Sequence, residues 1–425
     1  MLKTRKFWLD SIIGTAFIFG FMWFASNFLA IFSILDPVGD ALEDMKMSDM
    51  VFSDPIFRSD PDFEERVVLV NFGRLDREGI AHQLNIINKY KPKVIGIDTF
   101  FSSEKDSLGD AILQEALSNI ENLVLGTKYI SPGELEDPFY YGLERTHSKF
   151  RQYAEEAHVN LAAETAGTKQ NEFKVVRQFP PTMSLKDTIS GNITTQMAFG
   201  VKLAEFLDKD AVEEFLARDY EEELINYRGN VLTMQTLEMR PKFMALDIVD
   251  VFNENFSPDM IEGKIVIFGH IGENFNEKYW VEDKFFTPMN KQWAGRADLD
   301  MFGVVIHANI VSMVLNRDFL DKTSETQNVI FAIILCFFNV VLFTIVYRKL
   351  PLWYDGLTKI IQLIEVTILM FLIVWVFDVY FLELELTLAI IAVLLAGDAL
   401  EVLYGLGYNL FSKKKRKELF TIKED

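Results

Sequence analysis

The sequence predicts an α/β extracytoplasmic domain with a largely parallel sheet, attached to four transmembrane α-helices, one N-terminal and three C-terminal. Three observations carry this expectation. Short β-branched runs alternate with stretches of helical periodicity between residues 65 and 327. Four apolar runs, 7–35, 329–347, 360–377 and 386–410, each reach the roughly 17–25 residues that cross a hydrocarbon core about 30 Å thick. Basic residues collect at alternate ends of those runs.

Residues 1–35 hold the first span. A cleaved signal peptide is the alternative, but its apolar region would be roughly 7–15 residues and would close on a small-residue site. This run is longer and lacks that site, so a retained anchor is expected. Residues 36–64 are rich in Asp, Met, Ser and Pro without a period and read as a connector. The domain proper, 65–327, opens with the buried-strand pattern Val67-Val68-Leu69-Val70-Asn71. Helical spacing follows over 80–90 and stops at Lys91-Pro92. Val94-Ile95-Gly96-Ile97-Asp98 is the second strand, 110–120 the second helix and Leu123-Val124-Leu125-Gly126 the third strand. This β-α-β-α-β order implies parallel strands with right-handed crossovers.

The middle of the domain is less regular. Residues 137–149 read as a loop or short helix, and 173–179 as a strand broken by Pro180-Pro181. Residues 195–207 and 244–252 read as helices. Runs 224–227 and 231–237 flank the turn Arg228-Gly229-Asn230. Lys264-Ile265-Val266-Ile267-Phe268-Gly269 is a strong buried strand, and 304–315 a helix leading to the second span. Residues 328–410 hold three spans. Core helices of a large enzyme are the alternative, but these runs are apolar all round and flanked by charge. Residues 411–425 read as a short basic tail containing Lys413-Lys414-Lys415-Arg416-Lys417, and the chain is expected to work without an effector domain of its own.

Lys3, Arg5 and Lys6 precede the first span, and Arg348, Lys349 and Lys359 lie between the second and third. Asp378, Glu383 and Glu385 lie between the third and fourth. Both termini are therefore expected in the cytoplasm, with residues 36–327 outside it. That segment carries 30 Lys+Arg against 51 Asp+Glu. A nucleic-acid partner needs a basic surface and is not expected. The acidity reads as solubility, or as a surface for a basic partner or cations. Cys336 is the sole cysteine and lies in the second span, so the outer domain has no disulfide and must rest on its own core.

Ligand sites in open α/β sheets gather at the carboxyl ends of strands. Here those ends carry Asn71, Asp98, Thr127 and the loop Gly269-His270-Ile271-Gly272-Glu273. Asp98 reads equally as a cap or turn residue, and the glycine loop as a tight strand–helix connection without the lysine of a phosphate loop. His82, His147, His158, His270 and His307 lack zinc-site spacing. No serine stands in a nucleophile elbow. No catalytic, metal or cofactor site is expected. In the membrane, Asp398 and Glu401 share one helix face and Glu365 lies early in the third span. A carboxylate mid-span costs roughly 2.5–3.5 kcal/mol on insertion scales, and no Lys or Arg is placed within a span to offset it. These acids are either protonated or hydrogen-bonded, with Ser26, Asn27, Asn339 or Tyr404 as candidates, or they mark a partner helix or an ion path. Gly397, Gly405 and Gly407 permit close helix packing.

Five stretches together resemble the CHASE domain of the second type, an extracellular sensory module of bacterial receptors, over about residues 65–320. They are Lys91-Pro92-Lys93-Val94-Ile95-Gly96-Ile97-Asp98 with Phe100-Phe101; Leu224-Ile225-Asn226-Tyr227-Arg228-Gly229; Gly263 through Gly269; Asp283 with Thr287-Pro288; and Gly303-Val304-Val305-Ile306-His307-Ala308-Asn309. The chain departs from the family at Asn71-Phe72-Gly73, usually acidic, and over 165–177, which lacks an Asp-Gly turn. The resemblance implies a sensor in the bacterial inner membrane. With the carboxyl-edge residues it gives six candidate ligand contacts: Asn71, Asp98, Thr127, His270, Asp283 and His307. Glu365, Asp398 and Glu401 are the candidate contacts to a membrane partner. The expected partners are the lipid bilayer, a separate membrane protein that receives the signal, and a second copy of the chain. A structural subunit of an envelope complex, or an ion-linked transport component, is the alternative to a sensor.

Overall fold

The computed structural model describes residues 5–31, 49–53, 58, 60–130, 142–161, 175–186, 193–234, 236, 241–277, 281–290 and 298–410. The chain divides into two compact units, Phe52–Leu320 and Met1–Val51 with Asp321–Asp425. The basic tail and most of the connector lie outside the described residues, as do 162–174.

Counting from the N-terminal helix α1 (Arg5–Ile31), the first unit holds helices α2 (Arg77–Asn88), α3 (Ser107–Ser118), α4 (Phe199–Glu205), α5 (Lys209–Leu216), α6 (Ile248–Phe252) and α7 (Gly303–Asn316). They flank a seven-stranded sheet of β1 (Glu64–Asn71), β2 (Val94–Ile97), β3 (Leu123–Ile130), β4 (Gly142–Arg145), β5 (Glu155–His158), β6 (Phe243–Leu246) and β7 (Ile265–Gly269). The order is β6-β1-β7-β2-β3-β4, with β5 also on β3. Every pairing is parallel except β3 with β4. Val68 faces Val266, Val266 faces Ile95, and Ile95 faces Leu123, so the four strands expected to be parallel are the four central ones.

Both faces of this sheet are covered, which is why its strands read as unbroken apolar runs. Alternate residues point to opposite faces. Val68, Val70, Ile95, Ile97, Val266 and Phe268 pack on α2 and α3 through Ile80, Leu84, Leu113 and Leu117. Val67, Leu69, Val94, Ile265 and Ile267 pack on Phe199, Leu203, Phe215, Ile310 and Val314 of α4, α5 and α7. Each such side chain contributes roughly 1.5–3 kcal/mol on leaving water. Asp76 and Asp106 cap α2 and α3 by accepting from the amides of Gly79 and Gly109, and a buried ion pair of Arg77 with Asp110 ties the two helices together.

Three expectations need correction. Residues 195–207 are not one helix: the β-branched stretch Ile193–Met197 pairs with Thr182–Lys186, and α4 begins only at Phe199. Residues 244–252 are likewise split. Phe243–Leu246 is the edge strand β6, and Asp247 breaks the run by capping α6. Residues 137–149, expected as a loop or short helix, contain β4, whose register on β3 pairs Thr127 with Arg145; a short helix follows at Ser148–Arg151, and 137–141 lie outside the described residues.

The second unit holds α1 with α8 (Glu325–Lys349), α9 (Tyr354–Tyr380) and α10 (Thr387–Leu410). All four are long and apolar enough to cross a membrane, so the chain is a multi-pass membrane protein. Helix α10 packs on the other three, and Ala392, Ala396 and Ala399 let its neighbours approach closely. A β-carbon on Gly14 of α1 would lie 2.8 Å from Val340 of α8 and 3.0 Å from Leu400 of α10. Polar side chains fasten the bundle. Gln362 donates to the carbonyls of Val393 and Leu394, Tyr354 to that of Gly397, and Thr344 pairs with Tyr404. Arg348 bonds Asp10 at 3.0 Å with both side chains buried.

Candidate functional site

The carboxyl edges of β1, β7, β2 and β3 converge, as parallel strands must, and a cavity of about 330 Å³ opens there. Phe72 continues β1, Asp98, Thr99 and Phe100 continue β2, Lys128 stands on β3, and His270 follows β7. Glu282 and Asp283, then Phe285 of the short strand Lys284–Phe285, and the first two turns of α7, through Gly303 and His307, complete the wall. Val159 and Leu161 supply its aliphatic part.

Four of the six candidate ligand residues meet here: Asp98, His270, Asp283 and His307. Asn71 and Thr127 do not line the cavity. Asn71 is wholly buried and fully used. Its Nδ2 donates to Asp247 and to the Gly272 carbonyl, and its Oδ1 accepts from the amides of Gly73 and Ile271. An amide can donate and accept at once where a carboxylate could only accept, so the departure from the family's acidic residue serves to shape the β1 and β7 loops. Thr127 donates to Gln196 at 2.6 Å. Phe72, Phe100, Lys128 and Glu282 also line the cavity and are not among the six candidates; Phe72 and Phe100 stand in stretches quoted for the resemblance, but not as ligand contacts. Phe72 follows directly on the first strand's pattern and Lys128 stands two residues past the third's, so both carried a positional signal.

Asp98 stands at the cavity's base with its side chain 12% exposed. Among the described residues nothing donates a hydrogen bond to its carboxylate, and His307 Nε2 lies 3.9 Å away. Burial pushes this carboxyl up to about 7, against the attraction of Lys128. His270 donates from Nδ1 to the Gly73 carbonyl at 3.2 Å, and burial holds its imidazole below the usual range. His158, fully buried behind this wall, has neither ring nitrogen hydrogen-bonded; burial first, then the His307 charge, push it down to about 3. Asp283 adopts a left-handed backbone with φ 58°, its carbonyl accepts from the Gly303 amide, and its carboxylate lies over the start of α7. A non-glycine residue there is uncommon and tolerated best by Asp or Asn.

Other residues quoted for the resemblance are structural. Asn309 accepts from the amides of Arg228 and Gly229 and donates to the Gly229 carbonyl, fastening that turn to α7. A β-carbon on Gly229 would lie 2.3 Å from Lys242, so only glycine fits.

The three membrane candidates separate. Asp398 does have a basic partner: Lys359 contacts both its carboxylate oxygens at 2.8 Å. Lys359 was assigned to a loop by its charge, but α9 begins at Tyr354 and carries it up the helix. Both side chains lie on the outer face of the bundle, 55% and 62% exposed. Glu401 is also exposed, whereas Glu365 is half-buried against Asn339. Tyr404 pairs with Thr344, and the side chains of Ser26 and Asn27 lie outside the described residues.

The CHASE2 domain family matches residues 53–345, more than half of the chain. The chain belongs to that family, a family of sensory domains, and combines its domain with membrane-spanning helices. Searches of the curated proteins and of the solved structures find no match.

Proposed function

We propose that this chain is a receptor of the bacterial inner membrane, with its CHASE2 domain outside the cytoplasm and both termini inside. A small ligand enters the cavity at the sheet's carboxyl edge, and its occupancy is passed through the membrane helices to a separate membrane protein. The observation that carries this reading is the convergence of Asp98, His270, Asp283 and His307 on one cavity, with Asp98 mostly buried and, among the described residues, lacking a donor. His307 also sits on α7, and only the short segment between Asn316 and Glu325 separates α7 from α8, so chain connectivity offers a route for the signal. The reading involves no catalysis.

The exposed Lys359–Asp398 pair with Glu401 supports the partner step. A charged pair facing lipid is costly, and a partner helix with its own polar groups relieves that cost. Gentle purification of the tagged chain from native membranes should recover that partner. Replacing Lys359 with Met and Asp398 with Asn together should reduce recovery at least tenfold; full recovery would remove this face from the account. The same face suits a subunit of an envelope assembly. A partner retained when the cavity is blocked, with no change in its activity, would favour that second reading.

A further inference from the structure

We propose that the cavity takes a small protonated alkylamine, its ammonium groups received by Asp98 at the base and by Glu282 and Asp283 at the rim, its body against Phe72, Phe100 and Phe285. This rests on the reading of the cavity as the ligand site and specifies what fills it. The charge balance points that way. Among the described residues that line the cavity there are three carboxylates and one lysine, Lys128, and burial holds His270 below its usual range. The α7 amino end adds about half a positive charge, but the Asp283 carboxylate already lies over it.

Asp98 is the sharper indication. A carboxylate only accepts hydrogen bonds, and a buried one without a donor is unfavourable. Among the described residues none donates to it, and it faces space rather than protein. An ammonium group supplies both the missing donor and the missing charge. A metal ion would supply the charge as well. Among the described residues, however, no three His, Cys, Asp or Glu side chains are grouped closely enough to hold one. Phe72, Phe100, Phe285, Val159 and Leu161 lie on the same wall as the polar groups and offer dispersion contact to a short carbon skeleton. The volume, about 330 Å³, suits a molecule of small metabolite size.

The depth of Asp98 and the exposure of Glu282 and Asp283 add a preference within the class. A linear diamine places one ammonium at each level. The test is a four-carbon series, 1,4-diaminobutane, butylamine, butanol and butyrate, titrated into the full chain in detergent at pH 7.5. Binding is read by calorimetry and by the shift of the unfolding midpoint. The expected order is diamine tightest, then butylamine, with butanol and butyrate at least tenfold weaker than butylamine. Asp98→Asn should weaken both amines at least tenfold. If that variant fails to fold, the double variant Glu282→Gln with Asp283→Asn should reduce the advantage of diamine over monoamine. Leu161→Trp, which fills the cavity, should abolish binding.

If butanol or butyrate binds tighter than the amines and Leu161→Trp removes that binding, the amine proposal is overturned while the cavity stands as the ligand site. Amine binding that survives Leu161→Trp, or no binding by any member of the series, overturns both.

Discussion

Two carboxylates of the sheet unit have opposite fates, and each gives a pH signature. Burial would raise Glu64, but hydrogen bonds from Arg66, Ser312 and Asn316 outweigh it and lower the group to about 2. Its contribution to stability is complete above the unfolded value of 4.5 and is lost as pH falls through 2, on the order of 3 kcal/mol in all. Glu64→Gln should therefore destabilise the unit at pH 7 and flatten the acid limb of its unfolding curve; an unchanged limb would contradict the network. Asp98 runs the other way. Raised from 3.8 to about 7, it favours the folded state at low pH, and that advantage is lost as pH rises through 7. Asp98→Asn should raise the unfolding midpoint at pH 8 and do progressively less towards pH 4. An ordinary solvated carboxylate would show no such trend. The sequence announced Asp98 by its place after a central strand, but not its missing donor, because that depends on which side chains the loops at 270 and 282–285 bring back.

At the scale of elements, what could be read from the chain follows from how local each cause is. The strands at 67–71, 94–97 and 265–269 were legible because burial on both faces demands continuous apolar runs. β6 was not, because Phe243-Met244-Ala245-Leu246 runs into α6 without a change in polarity, and only the Asp247 cap separates them. β4 pairs antiparallel at the far edge with every residue partly exposed, so it has no apolar signature. Lys359 was misplaced for a related reason: charge marks the membrane boundary only when the helix begins there, and α9 begins five residues earlier. Helix α7 is the element on which the site depends, since it buries all but one of its residues and carries both His307 and Asn309. Asn309→Ala should cost roughly 1–3 kcal/mol, because it strands the buried amides of Arg228 and Gly229. Denaturant unfolding of the full chain measures this. Asn309→Asp, which keeps the acceptor, should recover part of the loss, and equal loss in both variants would deny the amide contacts their role.

For the whole molecule, the account joins a doubly covered sheet with a cavity at its carboxyl edge to four membrane-spanning helices. Its topology is directly accessible to labelling. In a Cys336→Ala background, Glu221→Cys and Leu352→Cys should react with an impermeant thiol reagent from opposite sides of the membrane. Reaction of both from one side would remove the expected arrangement. The central claim is that filling the cavity changes the state of the membrane helices. Hydrogen–deuterium exchange of the full chain in nanodiscs, native against Leu161→Trp, tests it without knowledge of the ligand. The account predicts altered exchange at the cavity lining and also in α8, α9 and α10. Changes confined to the cavity lining, with the three membrane helices identical in both proteins, would contradict it.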